Sequence, residues 1–266
     1  MTHDRHGPIM RDFLHGDLEL ELAETEVDAV VTVQSQQSLE HNEFLLNQAR
    51  AAPWIAGIVG WVDLCSSEFE AQLDAYLADP IFKGARHVLS LETDDRFMLR
   101  PEFVRGIEGL TVRGLTFDLL ILPHHLPFAR ELALLLPEQR FVLDHMGNPP
   151  VGEAAKMTAW GTDLRSLAAC PNVSCKISGF LTLAAVGAGL GAHSEDIGSA
   201  IRHALDVFGP DRSMWGSDWP VCLTAGAYDG SLTLLESVLA TQRPGARQAV
   251  LSETAARFYS LDLSIV

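Results

Sequence analysis

The chain has 266 residues, of which 47% are hydrophobic and 20% are charged, and its formal net charge is −16. This composition is typical of a folded enzyme, and the length suits one α/β barrel of about 250 residues better than two domains. The strong negative charge argues against binding to nucleic acid or to an anionic membrane surface.

The sequence gives no sign of a membrane span or of a secretion signal. No apolar run reaches about 18 residues, and the first twelve residues are polar and charged. We therefore expect a cytoplasmic protein in which residues 1–266 form a single domain. The four cysteines form neither a CxxC pair nor a zinc-finger spacing, which favours reduced thiols over disulfides: Cys65, Cys170, Cys175 and Cys222.

Seven short apolar runs alternate along the chain with longer helical patterns, and one more helical pattern, at 16–25, precedes them. The predicted strands are 28–35, 57–64, 85–90, 116–122, 140–146, 172–179 and 213–218. The later helices are predicted at 40–51, 67–78, 101–113, 127–136, 159–169, 194–208, 230–240 and 245–259. This alternation predicts a parallel sheet that is covered by helices.

Two architectures fit such a pattern. A (β/α)₈ TIM barrel needs eight strands, and here the first one is missing or degenerate, because the segment before residue 28 has only a helical pattern. An open doubly wound sheet is the alternative, but no GxGxxG or GxxxxGK[ST] loop follows any strand. We therefore predict a barrel that lacks its first strand. A Gly- and Ala-rich loop is expected at 184–192.

Side chains at the carboxyl ends of barrel strands converge on one site. Asp218 stands at such an end, in the run MWGSDWP at 214–220. Burial between Trp215 and Trp219 would raise its pKa, which suits a general base, although an aspartate in this turn can also serve only to bond nearby backbone. His145 ends another strand, directly after Asp144. Because neighbouring strand residues point to opposite faces, we expect only one of the two inside the barrel, and we favour His145.

Other polar residues mark further strand ends. Arg86 and His87 are adjacent, so one is expected to face the site and the other the helical layer. Lys176 lies inside an apolar run and needs either a carboxylate partner or a ligand, because an unpaired buried charge is costly. Gln34 ends the first predicted strand and is also a candidate for substrate binding.

The sequence supplies fewer candidate ligands at the strand ends than a metal centre needs. His145 and Asp218 are two possible ligands, and a bound metal needs several ligands aimed at one point. His3 and His6 lie in a polar segment without an apolar strand, which makes them a poor substitute for a ligand pair on a strand. The prediction is a divalent metal, with zinc as the first candidate, or none.

Taken in order, several sequence pieces resemble the amidohydrolase-related (amidohydrolase 2) family. Within it they are most similar to lactonases of the L-fucono-1,5-lactonase and 2-pyrone-4,6-dicarboxylate lactonase types. The resemblance runs from about residue 9 to residue 261, and its specificity lies in the order and spacing of the pieces. They are RDFL at 11–14, then 57–64, 86–88, DDRFMLRP at 94–101, 116–120, 141–150, 175–179, 208–212, 216–222 and 255–259.

The resemblance implies a TIM barrel of the metal-dependent hydrolase type that opens a lactone by attack of water on the ester carbonyl. Asp218 would take the proton from water, and His145, with Arg86 or His87, would hold the carbonyl oxygen. Lys176 and Trp219 would line the pocket for a small-molecule lactone. Some family members use a divalent metal and others do not.

Departures from the family pattern leave alternatives open, and one such departure is that the loop at 184–192 replaces a more polar loop. The family begins with a strand that ends in His-x-His, which this chain lacks upstream of Arg11, and Asn148 stands where lysine is common. The alternatives are a metal-dependent decarboxylase or amide hydrolase on the same barrel, and a truncated, inactive barrel that binds a ligand or a subunit. Two open strand edges would also favour a homo-oligomer.

Overall fold

A computed structural model describes residues 7–185 and 193–264. Seven strands form one parallel sheet, in which each strand pairs with those before and after it in the chain. The strands are β1 (Val30–Val33), β2 (Ile55–Gly60), β3 (Phe82–His87), β4 (Thr116–Leu119), β5 (Phe141–Leu143), β6 (Val173–Ile177) and β7 (Ser213–Trp215). The sheet curls into a TIM-barrel-like fold of seven strands, which confirms the predicted fold class.

Helices connect every pair of consecutive strands and cover the outside of the sheet. They are α1 (His15–Leu22), α2 (Leu39–Ala51), α3 (Phe69–Leu77), α4 (Pro101–Val112), α5 (Leu126–Leu135), α6 (Ala154–Ala168), α7 (Phe180–Ala185), α8 (Ser194–Phe208), α9 (Tyr228–Leu239), α10 (Ala246–Gln248) and α11 (Thr254–Tyr259). Each predicted helix overlaps one of these elements. The Gly- and Ala-rich loop predicted at 184–192 lies outside the described residues from position 186 onwards.

β3 begins three residues earlier than its sequence pattern indicates. The pair Lys83-Gly84 reads as a turn, but Gly84 pairs with Thr116 across the β3–β4 ladder. A Cβ atom at residue 84 would overlap the Thr116 side chain and backbone, so only glycine lets the two strands approach this closely here. The glycine therefore continues the strand instead of ending it.

The two edges of the sheet are β1 and β7, and no strand joins them within the residues that the structure describes. Helix α1 lies across this opening. Its Leu18 and Leu22 form a cluster with Tyr228, against which Val30 of β1 and Trp215 of β7 pack. The predicted absence of the first strand is thus accompanied by a helix that contacts both edges.

The interior of the barrel is separate from the core between sheet and helices. Inside, Val59, Val142 and Met214 pack against Phe258 and Tyr259 from the end of α11. Lys83, near the start of β3, donates to the Ser260 carbonyl at 3.1 Å, and Arg140, just before β5, donates to the Phe258 carbonyl at 2.6 Å. The segment after α11 therefore closes the amino end of the barrel and leaves the carboxyl ends of the strands for a site.

All four cysteines are free thiols, and three of them are buried. Burial raises the pKa of Cys222 to about 12. Across the described parts of the chain, no helix is both long enough and apolar enough to cross a bilayer.

Candidate active site

Asp218 and His145 meet at the carboxyl end of the barrel. The Nε2 atom of His145 lies 3.7 Å from the Asp218 Oδ1 atom, and each side chain is 17% exposed. Both residues have left-handed backbones, with φ of 58° at Asp218 and 53° at His145. Such values are rare outside glycine, cost of order 1–3 kcal/mol, and are concentrated at functional sites. The fold thus maintains two strained residues side by side at an accessible position.

The imidazole of His145 is held in place by β6 and the turn after it. Its Nδ1 atom lies 2.8 Å from the Ser178 hydroxyl. The next residue, Gly179, has φ of 67°, and a Cβ there would come within 2.7 Å of the ring atoms Cγ and Nδ1. Ser178 therefore fixes the orientation of the ring, and Gly179 leaves the space that the ring occupies.

The surroundings of Asp218 affect its protonation. Burial raises the pKa of Asp218, and the neighbouring side chains of His145 and Arg86 oppose this effect only in part. A carboxylate with a raised pKa accepts a proton more readily than an exposed one. The predicted environment of a general base is therefore present at this strand end, although its catalytic role stays a prediction.

Beneath this pair lies a buried network of two cations and two anions. The Lys176 Nζ atom is 2.5 Å from Asp118 Oδ2 and 2.8 Å from Asp144 Oδ1. Arg86 Nη1 is 2.8 Å from Asp144 Oδ2. The four formal charges cancel, which explains how they remain in an interior where a single charge would be unstable.

The pKa shifts of Lys176 and Asp144 favour their charged forms, whereas burial raises the pKa of Asp118 and Lys176 opposes that effect only in part. Burial lowers the pKa of Lys176, but the carboxylates of Asp118 and Asp144 outweigh it, and the net pKa lies well above the usual value. Burial raises the pKa of Asp144, but Lys176 and Arg86 lower it more, so the net pKa is below the usual range. Lys176 thus has the carboxylate partners that its sequence position requires.

The sequence interpretation missed two members of this network. Asp118, in β4, is fully buried, and Tyr259 donates to its two carboxylate oxygens at 3.0 and 3.2 Å. The acid inside the apolar run of β4 was a usable signal, because a buried carboxylate needs a partner as much as a buried lysine does. No comparable signal marks Tyr259, which reaches the barrel interior from the last helix.

Asp144 and His145 both belong to the site, in contrast to the predicted alternation. β5 ends at Leu143, and the left-handed turn at His145 redirects the chain. Asp144 therefore points down into the ion network, while His145 points towards Asp218. The alternation rule does not extend past the last residue of a strand.

Arg86 and Gln34 are in direct contact within the barrel. The Gln34 Nε2 atom donates to the Arg86 carbonyl at 3.0 Å, and the Arg86 guanidinium donates to the Gln34 carbonyl. Gln34 is completely buried, and its Oε1 atom has no partner among the described residues, nor has Arg86 Nε. Their predicted role in substrate binding stays a prediction.

His87 and Trp219 lie apart from the ion network. His87 stacks on Phe97 with ring centroids 5.2 Å apart, and its Nε2 atom is 2.7 Å from Glu92 Oε1. His87 therefore packs outside the ion network, whereas Arg86 belongs to it. Trp219 packs edge-on against Phe13 at 5.2 Å. Both remain predicted substrate-binding residues.

Among the residues that the structure describes, the donor set near Asp218 and His145 does not provide the three protein ligands of a metal centre. Within residues 7–185 and 193–264, the one group of three possible ligands lies elsewhere: Asp95, His124 and His125. His3 and His6 are outside the described residues.

The hydrogen bonds of His125 make the group of Asp95, His124 and His125 a poor metal site. Asp95 Oδ1 is 3.2 Å from His124 Nε2 and 3.4 Å from His125 Nε2. The Leu122 N–H donates to His125 Nδ1 at 3.2 Å, so the neutral ring carries its proton on Nε2 and offers it to Asp95. Metal-bound histidines instead donate from their second nitrogen. As arranged, the group lacks a third free ligand.

A curled parallel barrel with an acid and an imidazole at its strand ends defines an α/β-barrel hydrolase. The family description "Amidohydrolase" (Amidohydro_2) matches residues 2–261, and the chain belongs to this family.

Similar proteins extend over nearly the whole chain. An L-fucono-1,5-lactonase of Burkholderia ambifaria is 36% identical over 96% of this chain and 87% of its own length. A crystal structure of a Burkholderia multivorans amidohydrolase with bound HEPES has a TM-score of 0.92 and 33% identity, over 96% of this chain and 91% of that one. A second crystal form, with bound zinc, has a TM-score of 0.90, 34% identity and the same coverage.

Proposed function

We propose that the protein hydrolyses the ester bond of a sugar-acid lactone, with L-fucono-1,5-lactone as the first substrate to test. The observation that carries the proposal is the 36% identity to an L-fucono-1,5-lactonase over 96% of the chain. The adjacent Asp218 and His145 at the open end of the barrel support it, because a base and a hydrogen-bond donor are what ester hydrolysis needs.

In the proposed reaction, the Asp218 carboxylate takes a proton from water as the water oxygen bonds to the lactone carbonyl carbon. The carbonyl electrons move to its oxygen, which accepts a hydrogen bond from His145 Nε2. The Ser178 hydroxyl lies 2.8 Å from His145 Nδ1, and with that hydroxyl as the donor the ring would carry its proton on Nε2 for this role. The intermediate then expels the ring oxygen, which takes the proton from Asp218, and the product is the open hydroxy acid.

The ion network supports these two residues without a proton transfer of its own. Arg86 is tied to Asp144 and to the Gln34 backbone, so its positive charge stays near Asp218 and near the negative charge that develops on the substrate. Lys176, Trp219, His87 and Gln34 are proposed to bind or orient the sugar. We assign no step to a metal, because Asp218 and His145 lack a third ligand among the described residues.

The experiment is hydrolysis of a panel of aldonolactones by wild type and by Asp218→Asn. We expect wild type to be active and the variant to lose about 100-fold or more, the usual contribution of a general base. Asp229→Asn, which removes an exposed carboxylate on α9, is the matched control. A variant within about threefold of wild type would show that the assigned role is wrong.

The same assay tests zinc, which is the first candidate cation because a similar structure contains it. We expect added zinc or a chelator to change the rate by less than about twofold, since the two ligands found among the described residues do not hold a catalytic zinc. Strong zinc dependence without lactone hydrolysis would favour another metal-dependent reaction.

We further propose that residues 1–266 act as one cytoplasmic domain on a small-molecule lactone, and that the open edges of β1 and β7 support a homo-oligomer. The strand edges that pair with no further described strand are the feature that favours association.

Solved decarboxylases share only the fold with this chain, at 12–14% identity, and do not support decarboxylation as the alternative function.

A further inference from the structure

A second cleft lies at the amino end of the barrel, opposite the proposed active site. It has a volume of about 230 Å³ and lies among the starts of β5, β6 and β7 and helix α11. Three arginines line it, together with other polar groups: Arg140, Arg212, Arg257, Ser174 and Thr254. Arg140 precedes β5, whereas His145 follows it, so the length of the strand separates this cleft from the Asp218–His145 pair.

The three guanidinium groups have no carboxylate partner among the described residues. Arg212 donates to the carbonyls of Ala168, Cys170 and Val173, and Arg140 donates to those of Gly114 and Phe258. Carbonyl groups satisfy hydrogen bonds, but they carry no net charge, so the positive charges of the arginines are not neutralised.

The carboxylate at the rim of the cleft does not supply the missing charge either. Asp211 lines the cleft, but its Oδ2 atom pairs with Arg243 at 2.8 Å, on the exposed surface. Arg257 donates to the Asp211 backbone carbonyl and not to its side chain. The three arginines of the cleft, Asp211 and Arg243 together carry a formal charge of about +3, because four of these side chains are arginines and one is an aspartate.

This imbalance is costly for the two arginines that are partly buried. Burial lowers the pKa of Arg140 and of Arg212, and no carboxylate opposes the effect in either case. The chain has 35 acidic residues against 19 lysines and arginines, yet the one carboxylate among the described residues that line the cleft, Asp211, pairs with Arg243 outside it. An oxyanion bound from solution would provide negative charge to neutralise these arginines.

We propose that this cleft binds a small oxyanion, either a phosphate group or the carboxylate of a small metabolite. Its volume is below the roughly 300–1,000 Å³ of pockets for drug-sized ligands, which favours a compact anion. Arg257 uses only Nη2 in hydrogen bonds, so its Nε and Nη1 groups can donate to the anion. The Ser174 hydroxyl, which makes no hydrogen bond with the described residues, is a further donor on the lining.

The test is isothermal titration calorimetry of the whole protein with inorganic phosphate and, separately, with succinate. Sodium chloride at the same ionic strength is the reference, because salt alone acts on a chain of net charge −16. We expect saturable binding of one phosphate or one succinate per chain. The tighter of the two identifies the ligand as a phosphate compound or as a carboxylate.

The deciding variants are Arg257→Gln and Arg105→Gln. Arg257 is exposed, so its loss should leave the fold intact, and we expect it to weaken binding by about tenfold or more, the contribution of a hydrogen bond to a charged group. Arg105→Gln removes an exposed arginine of α4 that has no ion pair among the described residues, and it should bind like wild type. Absence of saturable binding beyond the chloride reference, or equal binding by Arg257→Gln, would overturn the proposal. Lactone hydrolysis is not the readout, so the two proposals fail independently.

Discussion

Gly179 and the His145 ring compete for the same space at the active site. With φ of 67°, residue 179 has a backbone that favours glycine, and the ring atoms come within 2.7 Å of the place where a Cβ would lie. Two penalties therefore coincide at one position, a backbone strain and a displacement of His145. They can be separated, because Gly114 has nearly the same φ, 69°, with nothing within 4 Å of its Cβ position.

Gly179→Ala and Gly114→Ala are expected to destabilise the protein by a similar backbone term of about 1–2 kcal/mol. Only Gly179→Ala should also lower kcat for lactone hydrolysis, because it displaces the His145 ring from Ser178. Denaturant unfolding and steady-state kinetics on the two variants measure the two effects. Equal kinetics in both variants would contradict the proposed function of His145.

Ionisation of Asp218 is expected to raise the activity of the protein and to lower its stability. Because burial raises its pKa in the folded protein, the folded state holds the proton more tightly than the unfolded state. The free energy of unfolding therefore decreases as pH rises from the ordinary pKa of an aspartate through the raised pKa. The reaction needs the ionised carboxylate, and burial of this charge lowers the free energy of unfolding.

We therefore expect Asp218→Asn to melt at the same temperature as wild type or higher at pH 7, although it is inactive. The wild-type rate should fall with acid at a pH above the ordinary pKa of aspartate, since the carboxylate must be ionised. Thermal melts and a pH–rate profile check both. A variant that melts well below wild type would indicate a structural role for the carboxylate.

Among the elements, β3 to β6 are joined by charges as well as by their ladders. Lys176 lies in an apolar run and so needs a partner, but no local pattern identifies it, because Asp118 is 58 residues away and on a strand two positions along the sheet. The strand pattern, in contrast, follows from local periodicity, and all seven strands are where the sequence predicts them to within a few residues. Local periodicity thus predicts the strands and helices, whereas the composition of the site depends on ion pairs between side chains of different strands.

Lys176→Met should destabilise the protein by about 3–5 kcal/mol, because it leaves two buried carboxylates with one cation. Lys176→Met combined with Asp118→Asn leaves the neutral pair Arg86–Asp144, and we expect it to be more stable than Lys176→Met alone. Urea unfolding of wild type, both single variants and the double variant gives the coupling energy. Strict additivity would show that the network does not act as a unit.

At the scale of the whole molecule, helix α1 contacts the opening between β1 and β7. Leu18 is 8% exposed in the cluster against the two edge strands, while Leu20 on the same helix is 74% exposed. The unpaired strand edges near this helix are surfaces on which a second chain can pair. The same helix therefore provides a substitution that exposes the edges and a control that does not.

Leu18→Asp is expected to loosen α1 and to cause association beyond the wild-type oligomeric state, which increases with protein concentration. Leu20→Asp makes the same chemical change at an exposed position and should behave like wild type. Size-exclusion chromatography with light scattering over a range of concentrations distinguishes the two. If Leu18→Asp remains in the wild-type state, α1 does not protect the edges.

The hydrogen bond between Tyr259 and Asp118 spans 141 residues of sequence. During synthesis on the ribosome, Asp118, Asp144 and Lys176 all emerge long before Tyr259 does. The barrel interior therefore becomes complete only after residue 259 has been synthesised. Only then can Tyr259 donate to the Asp118 carboxylate, and only then can Phe258 and Tyr259 close the amino end. Contacts over such a sequence separation slow folding, so the last helix sets the moment at which the interior becomes complete.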